Sequence, residues 1–193
     1  MIIATRNEHK LRELREALPG IELEPLPAGV DLPPEDGETF EVNALGKARA
    51  AHRATGAAVI ADDSGIEAAG LGGRPGVRSA RYAGEDASDE QNLAKLLEEV
   101  GAVGDRGVAY VCAIAFVDEE GDEETFEARC EGELAREPRG DGGFGYDPAF
   151  LPDDTGPGDG RTMAELSADE KHAISHRGKA ALLLAERLGA GER

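Results

Sequence analysis

The sequence predicts an α/β fold, because segments with helical periodicity alternate along the chain with short apolar strands. Residues 108–117 are almost wholly apolar, as in a strand covered on both faces, whereas residues 125–134 alternate apolar and charged side chains. An acidic turn at residues 118–122 joins them into an antiparallel hairpin. With 193 residues the chain can bury a substantial core, and we expect residues 1–193 to form one domain or one bilobed unit, without an independent second domain.

The first half of the chain alternates strands and helices. Residues 1–4 predict a short buried strand, and residues 7–18 predict a helix whose leucines are spaced by three and four until a Pro-Gly pair ends it. Residues 21–26 are typical of a half-exposed strand. Thr39 is placed to cap a helix that runs to Gly56.

Capping boxes mark further helices in the second half. Ser88 with Gln91 begins one helix, and Ser167 with Glu170 begins another. Residues 180–188 carry a leucine-rich face typical of a helix that packs on a core. The pattern therefore places helices on both sides of the hairpin in the sequence.

The composition excludes several classes of function. The net charge is −19, with 40 acidic against 21 basic residues, which argues against non-specific binding to duplex nucleic acid. No apolar run approaches the roughly 18 residues of a membrane span, and no export signal precedes the first strand, so we expect a cytoplasmic protein without a membrane partner. Cys112 and Cys130 lie outside any disulfide or metal-ligand spacing and are predicted to be buried apolar side chains.

Adjacent carboxylates, Asp62 and Asp63, follow the apolar run at residues 57–61 and precede Ser64 and Gly65. We predict that a buried strand ends there and delivers both side chains into a tight turn. Moving a carboxylate out of water is costly unless a cation or hydrogen-bond donors compensate it, and Mg2+ is a suitable partner. The alternative is an ordinary acidic turn that caps the strand.

A polar loop connects the first strand to the first helix. Its backbone N–H groups, a lysine and an arginine can face an anion, as at a helix N-terminus that binds phosphate. It lacks the spaced glycines of a P-loop, and a solvated helix start explains the same composition. The loop consists of Thr5, Arg6, Asn7, Glu8, His9 and Lys10.

Further candidate side chains occur in three places. Asn43 and Lys47 fall one turn apart on their helix, so both face either a cleft or solvent. Residues 144–150 carry aromatic side chains suited to stacking on a flat ligand or to filling a gap between lobes. A cationic cluster at residues 175–179 lies at a predicted helix junction.

Together these segments supply an anion site, paired carboxylates, stacking aromatics and directional donors, which are the parts of a nucleotide site. They also resemble, in order and over nearly the whole chain, the non-canonical purine nucleoside triphosphate pyrophosphatases, the dITP/XTP or inosine triphosphate pyrophosphatase family. The motifs that carry this resemblance are Thr5-Arg6-Asn7-Glu8-His9-Lys10, Gly37-Glu38-Thr39-Phe40 with Asn43-Ala44, Ala61-Asp62-Asp63-Ser64-Gly65, Gly72-Gly73-Arg74-Pro75-Gly76-Val77, Gly143-Phe144-Gly145-Tyr146-Asp147-Pro148 and Ser175-His176-Arg177-Gly178.

The resemblance implies a fold, a reaction and its requirements. The fold would be an elongated mixed β-sheet flanked by helices, in two lobes with a cleft between them. The reaction would be hydrolysis of ITP, dITP or XTP between the α and β phosphates, which gives the monophosphate and pyrophosphate and cleanses the nucleotide pool. Mg2+ would be required, and a homodimer would be the usual state.

The resemblance also implies roles for individual residues. Asp63 would be the metal ligand and the proton acceptor for the attacking water, with assistance from Asp62. Phe144 would stack on the purine, and donors from His176 and Arg177 would favour the 6-oxo group of hypoxanthine or xanthine over the amino group of adenine. The remaining substrate contacts would come from Thr5, Arg6, Asn7, Glu8, His9, Lys10, Ser64, Gly145, Tyr146, Asp147 and Lys171.

The chain departs from the family pattern at one metal ligand. Pro34 occupies a position, three residues before Gly37, where members of the family often have an acid. Glu35 is the nearest substitute and is our candidate for the second metal ligand, with Glu38 or a water molecule as alternatives.

Other functions use the same residue types. The scaffold could cleave modified pyrimidine or methylated nucleoside triphosphates, although the His176-Arg177 pair disfavours this. A nucleotide-sensing module without turnover would leave Asp63 idle beside Asp62. A purely structural role gives no reason for paired acids, loop aromatics and a cationic cluster to occur together.

Overall fold

The computed structural model describes residues 1–189 and shows a mixed sheet with helices, which confirms the predicted α/β class. The strands are β1 (Ile2–Ile3), β2 (Glu24–Pro25), β3 (Val59–Ala68), β4 (Gly107–Val117), β5 (Glu123–Leu134) and β6 (Phe150–Pro152). The helices are α1 (Glu8–Ala17), α2 (Phe40–Thr55), α3 (Asp89–Val103), α4 (Ala168–Ile174) and α5 (His176–Arg187). Within this described part, no helix has the length and apolar character needed to cross a bilayer.

The six-stranded sheet has the order β2-β1-β3-β4-β5-β6. Strand β1 pairs in parallel with β2 and β3, whereas β5 and β6 are antiparallel. Neighbouring strands β4 and β5 are connected by residues 118–122, where the N–H of Asp118 donates to the carbonyl of Asp122 at 3.0 Å. So short a connection between paired strands makes them antiparallel, as the hairpin prediction requires.

The described chain divides into two compact units. The first comprises Met1–Ser64, Cys112–Ala128 and the chain from His176 onward, and the second comprises Gly65–Val111 and Arg129–Ser175. Strands β3, β4 and β5 contribute residues to both units. Each unit has an apolar core of its own.

The strands of the first unit are covered on both faces, because alternate side chains of a strand point to opposite sides. On one face Ile3 and Ile60 pack with residues of α1 and α5, and on the other face Ile2 and Val59 pack with alanines of α2. Cys112 on β4 is buried in the first of these clusters. Burial on both sides explains why these strands are nearly continuous apolar runs.

The second unit has a core around α3 and β4. Leu96 on α3 is fully buried, and the predicted capping box of Ser88 and Gln91 fixes the start of this helix. On β4 the ring of Tyr110 packs on Phe150, with 4.6 Å between the ring centroids. The first half of β4 is therefore packed against the residues that follow β5.

Helix boundaries in the first half agree with the predicted capping signals. Thr39 accepts the N–H of Val42 at 3.2 Å, and α2 ends at Gly56, whose φ of 68° is the left-handed conformation of a helix C-cap. The predicted capping box of Ser167 and Glu170 begins α4. Local sequence is thus sufficient to position these helix ends.

The second strand is shorter than predicted. Of residues 21–26, only Glu24–Pro25 pairs with the sheet, at its edge. Pro25 has no backbone N–H and cannot donate to a further ladder bond, which limits the strand.

The prediction of a tight turn at the paired aspartates was wrong. Residues 62–65 continue β3 as a strand through Ala68. Gly65 permits this path, because a Cβ there would lie 2.3 Å from the Oγ of Ser79. That hydroxyl accepts the N–H of Ile66 at 2.9 Å, so Ser79 supplies a strand hydrogen bond where the side chain of residue 65 would otherwise stand.

Candidate active site

The paired aspartates lie side by side on β3 but face opposite sides of the strand. Because side chains alternate, Asp62 continues the side of Ile60, which packs on α1 and α5, and Asp63 continues the side of Ala61, which packs on α2. Their contacts agree, since Asp62 meets cations of α1 and α5 and Asp63 meets a side chain of α2. Two neighbouring carboxylates therefore have different environments.

Asp62 is fully buried and is compensated by cations. Its Oδ2 lies 3.1 Å from the Nζ of Lys10 and accepts a hydrogen bond from the Nε of Arg177 at 3.2 Å. Burial alone raises the pKa of a carboxyl group, but the charges of Lys10, Arg177 and Lys47 hold the pKa of Asp62 well below its usual range. Asp62 is therefore an anion at neutral pH that holds two cations in place.

Arg177, near the start of α5, is only 2% exposed. Besides Asp62, it donates from Nη2 to the Oγ of Ser64 at 2.8 Å and from Nη1 to a carboxylate oxygen of Glu13 on α1. Burial lowers the pKa of a guanidinium, but the neighbouring anions outweigh it and raise the pKa of Arg177. Arg177 thus joins α1, β3 and α5, an arrangement that the prediction of a base-reading arginine did not include.

Asp63 is 5% exposed and is held by neutral donors. Its Oδ2 accepts a hydrogen bond from the Nδ2 of Asn43 at 2.8 Å, and its Oδ1 accepts one from the backbone N–H of Ser64 at 2.9 Å. Burial raises the pKa of Asp63 above its usual value, despite the opposing charges of Lys47 and Lys10. A carboxylate with fixed orientation and raised pKa is suited to act as a general base.

Lys47 lies one turn after Asn43 on α2 and is 6% exposed, so the alternative of a solvated lysine is wrong. Its Nζ donates to the backbone carbonyl of Asp62 at 2.6 Å and forms an ion pair with Glu35. Burial lowers the pKa of an amine, but Asp62 and Glu35 outweigh this effect and raise the pKa of Lys47. The four-residue spacing was the sequence signal for this pair, although it did not reveal their partners.

Asn43 also connects Asp63 to the loop that carries Glu35. Its Oδ1 accepts the backbone N–H of Gly37 at 2.8 Å, while its Nδ2 donates to Asp63. A Cβ on residue 37 would lie 2.6 Å from that Oδ1, so the close approach of the loop to Asn43 requires a glycine at this position. One amide side chain therefore positions both candidate metal ligands, directly for Asp63 and through the backbone for Glu35.

The predicted phosphate loop forms the capped start of α1. The Oδ1 of Asn7 accepts the N–H groups of His9 and Lys10 at 2.9 and 3.2 Å, and the N–H of Asn7 donates to the Oγ1 of Thr5 at 3.2 Å. Both interpretations, a helix start and an anion site, are compatible with this arrangement. The solvent-exposed residues of the loop are Arg6, Asn7, Glu8 and His9.

The second unit assembles a different cluster around Asp147, which is 3% exposed. Its Oδ1 accepts a hydrogen bond from the hydroxyl of Tyr110 at 2.9 Å. Its Oδ2 accepts from the backbone N–H of Phe144 at 2.9 Å and from the Nζ of Lys171 at 2.8 Å. Because Lys171 Nζ also lies 5.1 Å from the centre of the Phe144 ring, one carboxylate fixes an aromatic ring and the cation beside it.

Tyr146 is a core residue rather than an exposed loop aromatic, which corrects the sequence prediction. It is 5% exposed, and its hydroxyl donates to the carbonyl of Ser79 at 2.7 Å. Phe144, by contrast, is half-buried. The N–H of Gly145 donates to the Oδ2 of Asp89 at 2.8 Å, so α3 also supports this loop.

His176 is the first residue of α5 and is 7% exposed. It belongs to the first unit with Arg177, whereas Ser175 belongs to the second unit. The predicted cationic cluster therefore lies at a helix junction, as expected from the sequence, but its histidine and arginine are buried.

The residues available for a metal ion form a small set. Among residues 1–189, no group of three or more His, Cys, Asp or Glu is arranged to hold one. Mg2+ in nucleotide enzymes is usually held by one or two protein carboxylates and by substrate phosphates. The raised pKa of Asp63 reflects a buried carboxylate that the nearby cations do not fully compensate, and Glu35 adds a second hard oxygen donor. These residues fit Mg2+, while Asp62 is already compensated by two cations.

Comparison with known proteins identifies the family. The profile of the Ham1 family matches residues 1–187. The chain belongs to the Ham1 family. A Mycobacterium bovis protein named dITP/XTP pyrophosphatase is 49% identical, with 95% of this chain and 92% of that protein covered. A Geobacter sulfurreducens protein of the same name is 47% identical, with 98% of this chain and 96% of that protein covered.

Solved structures of Ham1 proteins are similar to this chain. A HAM1 protein from Coxiella burnetii has a TM-score of 0.87 and 42% identity, with 97% of each chain covered. The Ham1 protein of Staphylococcus aureus has a TM-score of 0.86 and 40% identity, with 100% of this chain and 98% of that chain covered. The family resemblance predicted from six motifs is therefore confirmed, together with the Ham1-type fold.

Proposed function

We propose that this protein is a Mg2+-dependent pyrophosphatase that hydrolyses ITP, dITP and XTP to the monophosphate and pyrophosphate. Its family and the names of relatives at 47% and 49% identity support this reaction. The observation that carries the proposal is Asp63, a buried carboxylate that Asn43 orients and whose pKa is raised. A carboxylate of this kind can accept a proton from the attacking water at neutral pH.

Asp63 would accept the proton of the attacking water. Each of its carboxylate oxygens receives one hydrogen bond, from Asn43 or from Ser64, which leaves lone pairs for a proton and for a metal ion. When bound, Mg2+ held by Asp63 and Glu35 would neutralise phosphate charge and orient the triphosphate for in-line attack. Asn43 would keep the base in the required orientation.

The triphosphate would be bound by the start of α1. The positive end of the helix dipole and the side chains of Thr5, Asn7 and Lys10 suit an anion. Lys10, whose side chain is 15% exposed, is fixed by Asp62 and would bring its charge to the phosphates. Arg6, Glu8 and His9 would complete the loop.

The purine would stack on Phe144, with Lys171, Gly145, Tyr146 and Asp147 forming or supporting that part of the site. Specificity for a 6-oxo purine requires a donor at the base edge, since adenine presents an amino group there. Leaving a buried donor unpaired costs about 1–3 kcal/mol, which corresponds to about a 5- to 150-fold preference. We assign this donor to His176.

Arg177 has two possible contributions, and a single variant separates them. If it donates to the base, Arg177→Ala lowers the ratio of kcat/KM for ITP over ATP more than it lowers kcat. If it acts by holding Asp62 and Ser64, as its contacts favour, kcat falls for both nucleotides and the ratio is kept. We propose the second role, and a collapsed ratio would refute it.

The decisive experiment is a panel of ITP, XTP, GTP, ATP and dUTP with Mg2+, in which pyrophosphate and orthophosphate are assayed separately. We expect pyrophosphate from ITP and XTP only, and its loss in Asp63→Asn. Asp86→Asn, which changes an exposed acid of the second unit, is the matched control and should retain the activity of the parent. Orthophosphate as the first product, or an active Asp63→Asn, would overturn the proposal.

Hydrolysis in water enriched in 18O identifies the phosphorus that is attacked. Attack at the α-phosphorus places the label in the monophosphate, whereas attack at the β-phosphorus places it in pyrophosphate. We expect label in the monophosphate, because in-line attack there expels pyrophosphate as a single leaving group.

We further propose that the enzyme is a homodimer that works in the cytoplasm, where nucleoside triphosphates are polymerised. The dimer is the assembly that the family resemblance implies. Sedimentation equilibrium at micromolar concentration tests it, and a mass equal to the 20.2 kDa of one chain would exclude it.

A further inference from the structure

We propose that Tyr110 is a positioning residue for the purine: its buried hydroxyl fixes Asp147, and Asp147 in turn fixes Phe144 and Lys171. This inference rests on the proposed function, because it assumes that Phe144 receives the base. Tyr110 itself does not touch the substrate in this scheme.

The first step is that packing restrains the side chain of Tyr110. It lies on β4, is 7% exposed, and packs against Phe150 with 4.6 Å between ring centroids. Its side chain therefore presents the hydroxyl from a rigid, buried strand. Burial, the largest cause, and the charge of Asp147 raise the pKa of Tyr110 well above its ordinary value, so the hydroxyl remains a donor throughout the working pH range.

The second step is that Asp147 is a hub. One oxygen is occupied by Tyr110, at 2.9 Å, and the other receives the backbone N–H of Phe144 and the Nζ of Lys171. The hydrogen bond to Oδ1 restricts rotation of the carboxylate and so helps to direct Oδ2 towards Phe144 and Lys171. The loop position of Phe144 and the position of the cation over its ring then follow.

The third step is that the loop needs this connection. Residues 135–146 contain neither helix nor strand, and a Cβ on Gly143 would lie 2.1 Å from the Oδ2 of Asp147, so the loop closes tightly on this carboxylate. Without the Tyr110 bond, Asp147 would have greater rotational freedom, and Phe144 would be less well ordered before the base arrives. Ordering it would then consume binding free energy.

The test compares Tyr110→Phe with Tyr82→Phe. Both changes delete one tyrosine hydroxyl that donates to a carboxylate in the second unit, since Tyr82 donates to Glu99 at 2.6 Å. Tyr110→Phe keeps the ring that packs on Phe150, which preserves the fold. Of these two tyrosines, Tyr110 donates to Asp147, the carboxylate that holds Phe144, and Tyr82 does not.

We expect Tyr110→Phe to raise KM for ITP about three- to tenfold while kcat stays within about twofold, as for the loss of one buried hydrogen bond. The Kd for IMP, measured by calorimetry without turnover, should rise by the same factor. Tyr82→Phe should leave both constants unchanged. A purely structural Tyr110 would lower thermal stability and leave KM and Kd alone, and that result would overturn the inference.

A double-mutant cycle tests whether Tyr110 acts through Asp147. Asp147→Asn alone weakens the Lys171 contact, and we expect the effect of Tyr110→Phe on KM to shrink in that background, because coupled residues are non-additive. Strictly additive effects would contradict the chain of contacts.

If the parent protein releases no pyrophosphate from ITP, the proposed function fails. If the parent releases pyrophosphate and Tyr110→Phe has the same KM and Kd as the parent, only the positioning role of Tyr110 fails.

Discussion

Asp62 and Asp63 are consecutive residues of β3 that point to opposite faces, and their pKa values shift in opposite directions as a result. The cations of α1 and α5 depress the pKa of Asp62, whereas burial beside α2 raises the pKa of Asp63. Because side chains alternate along a strand, one pair of neighbours supplies both a carboxylate compensated by cations and the carboxylate that we propose as the base. A helix would have placed the same two residues on adjacent faces.

The first prediction concerns stability at Asp62. Asp62→Asn should lower the free energy of unfolding by about 3 kcal/mol, because it leaves Lys10 and Arg177 buried with less compensating charge. Urea unfolding followed by circular dichroism measures the change. An unfolding midpoint equal to that of the parent would show that the two cations find other partners.

The second prediction concerns the neighbouring residue, where we expect a smaller effect on stability. Asp63→Asn should lower the free energy of unfolding much less than Asp62→Asn does, because the loss of one hydrogen bond to Asn43 or Ser64 is offset by removal of a buried charge whose pKa is raised. The same variant should have no measurable turnover. The comparison is made in EDTA, so that bound metal does not stabilise the parent alone. A loss of stability as large as that of Asp62→Asn would contradict the division of roles.

The third prediction concerns Asn43. Asn43→Ala removes the donor to Asp63 and the acceptor for Gly37, and should lower kcat for ITP by about 10- to 100-fold, as other residues that orient a metal ligand do. Asn92→Ala is the matched control. Asn92 is also a buried amide, and its side chain hydrogen-bonds the backbone N–H of Ala83 at 2.8 Å and the backbone carbonyl of Ala80 at 3.1 Å. Asn92→Ala should lose stability without loss of kcat. Equal kcat in the two variants would remove Asn43 from the mechanism.

The fourth prediction concerns pH and the start of α4. A side-chain bond from Arg161 and a backbone bond from Ser167 lower the pKa of Glu170 from 4.5 to about 2. A depressed folded-state pKa contributes stability that is present above pH 4.5 and is lost as the pH falls towards 2. Glu170→Gln should therefore reduce stability at neutral pH and flatten its decline over that window.

The measurement for Glu170 is the melting temperature between pH 2 and 7, with Glu119→Gln in the exposed hairpin turn as the control. The side chains of Arg161 and Glu170 are both exposed, so added salt should weaken the contribution of their ion pair to the melting temperature. If the melting temperatures of the parent and of Glu170→Gln fall in parallel between pH 4.5 and 2, Glu170 contributes nothing to the pH dependence of stability.

Local features of the structure could be predicted from the sequence, because residues that are neighbours in the chain determine them. The caps at Thr39 and Ser88, and the alternation that gives β5, depend on contacts within a few residues. The spacing of Asn43 and Lys47 likewise placed them on one face. These elements required only propensity and periodicity.

The partners of the candidate site were not predictable, because they come from distant parts of the chain. Arg177 meets Asp62 across 115 residues, and Tyr110 meets Asp147 across 37. The continuation of β3 beyond Asp63 depends on Ser79, whose hydroxyl occupies the space that a side chain at Gly65 would need and accepts the N–H of Ile66. From the sequence alone, Gly65 indicates a turn. Such pairings arise only when the sheet is assembled.

The guanidinium of Arg177 has a consequence for biosynthesis. It follows Asp62 by 115 residues, so during translation the strand carrying Asp62 emerges long before its second cation. A chain that ended before α5 would leave Asp62 with Lys10 and Lys47 but without the guanidinium of Arg177. The set of charges around Asp62 is therefore complete only after helix α5 has been translated.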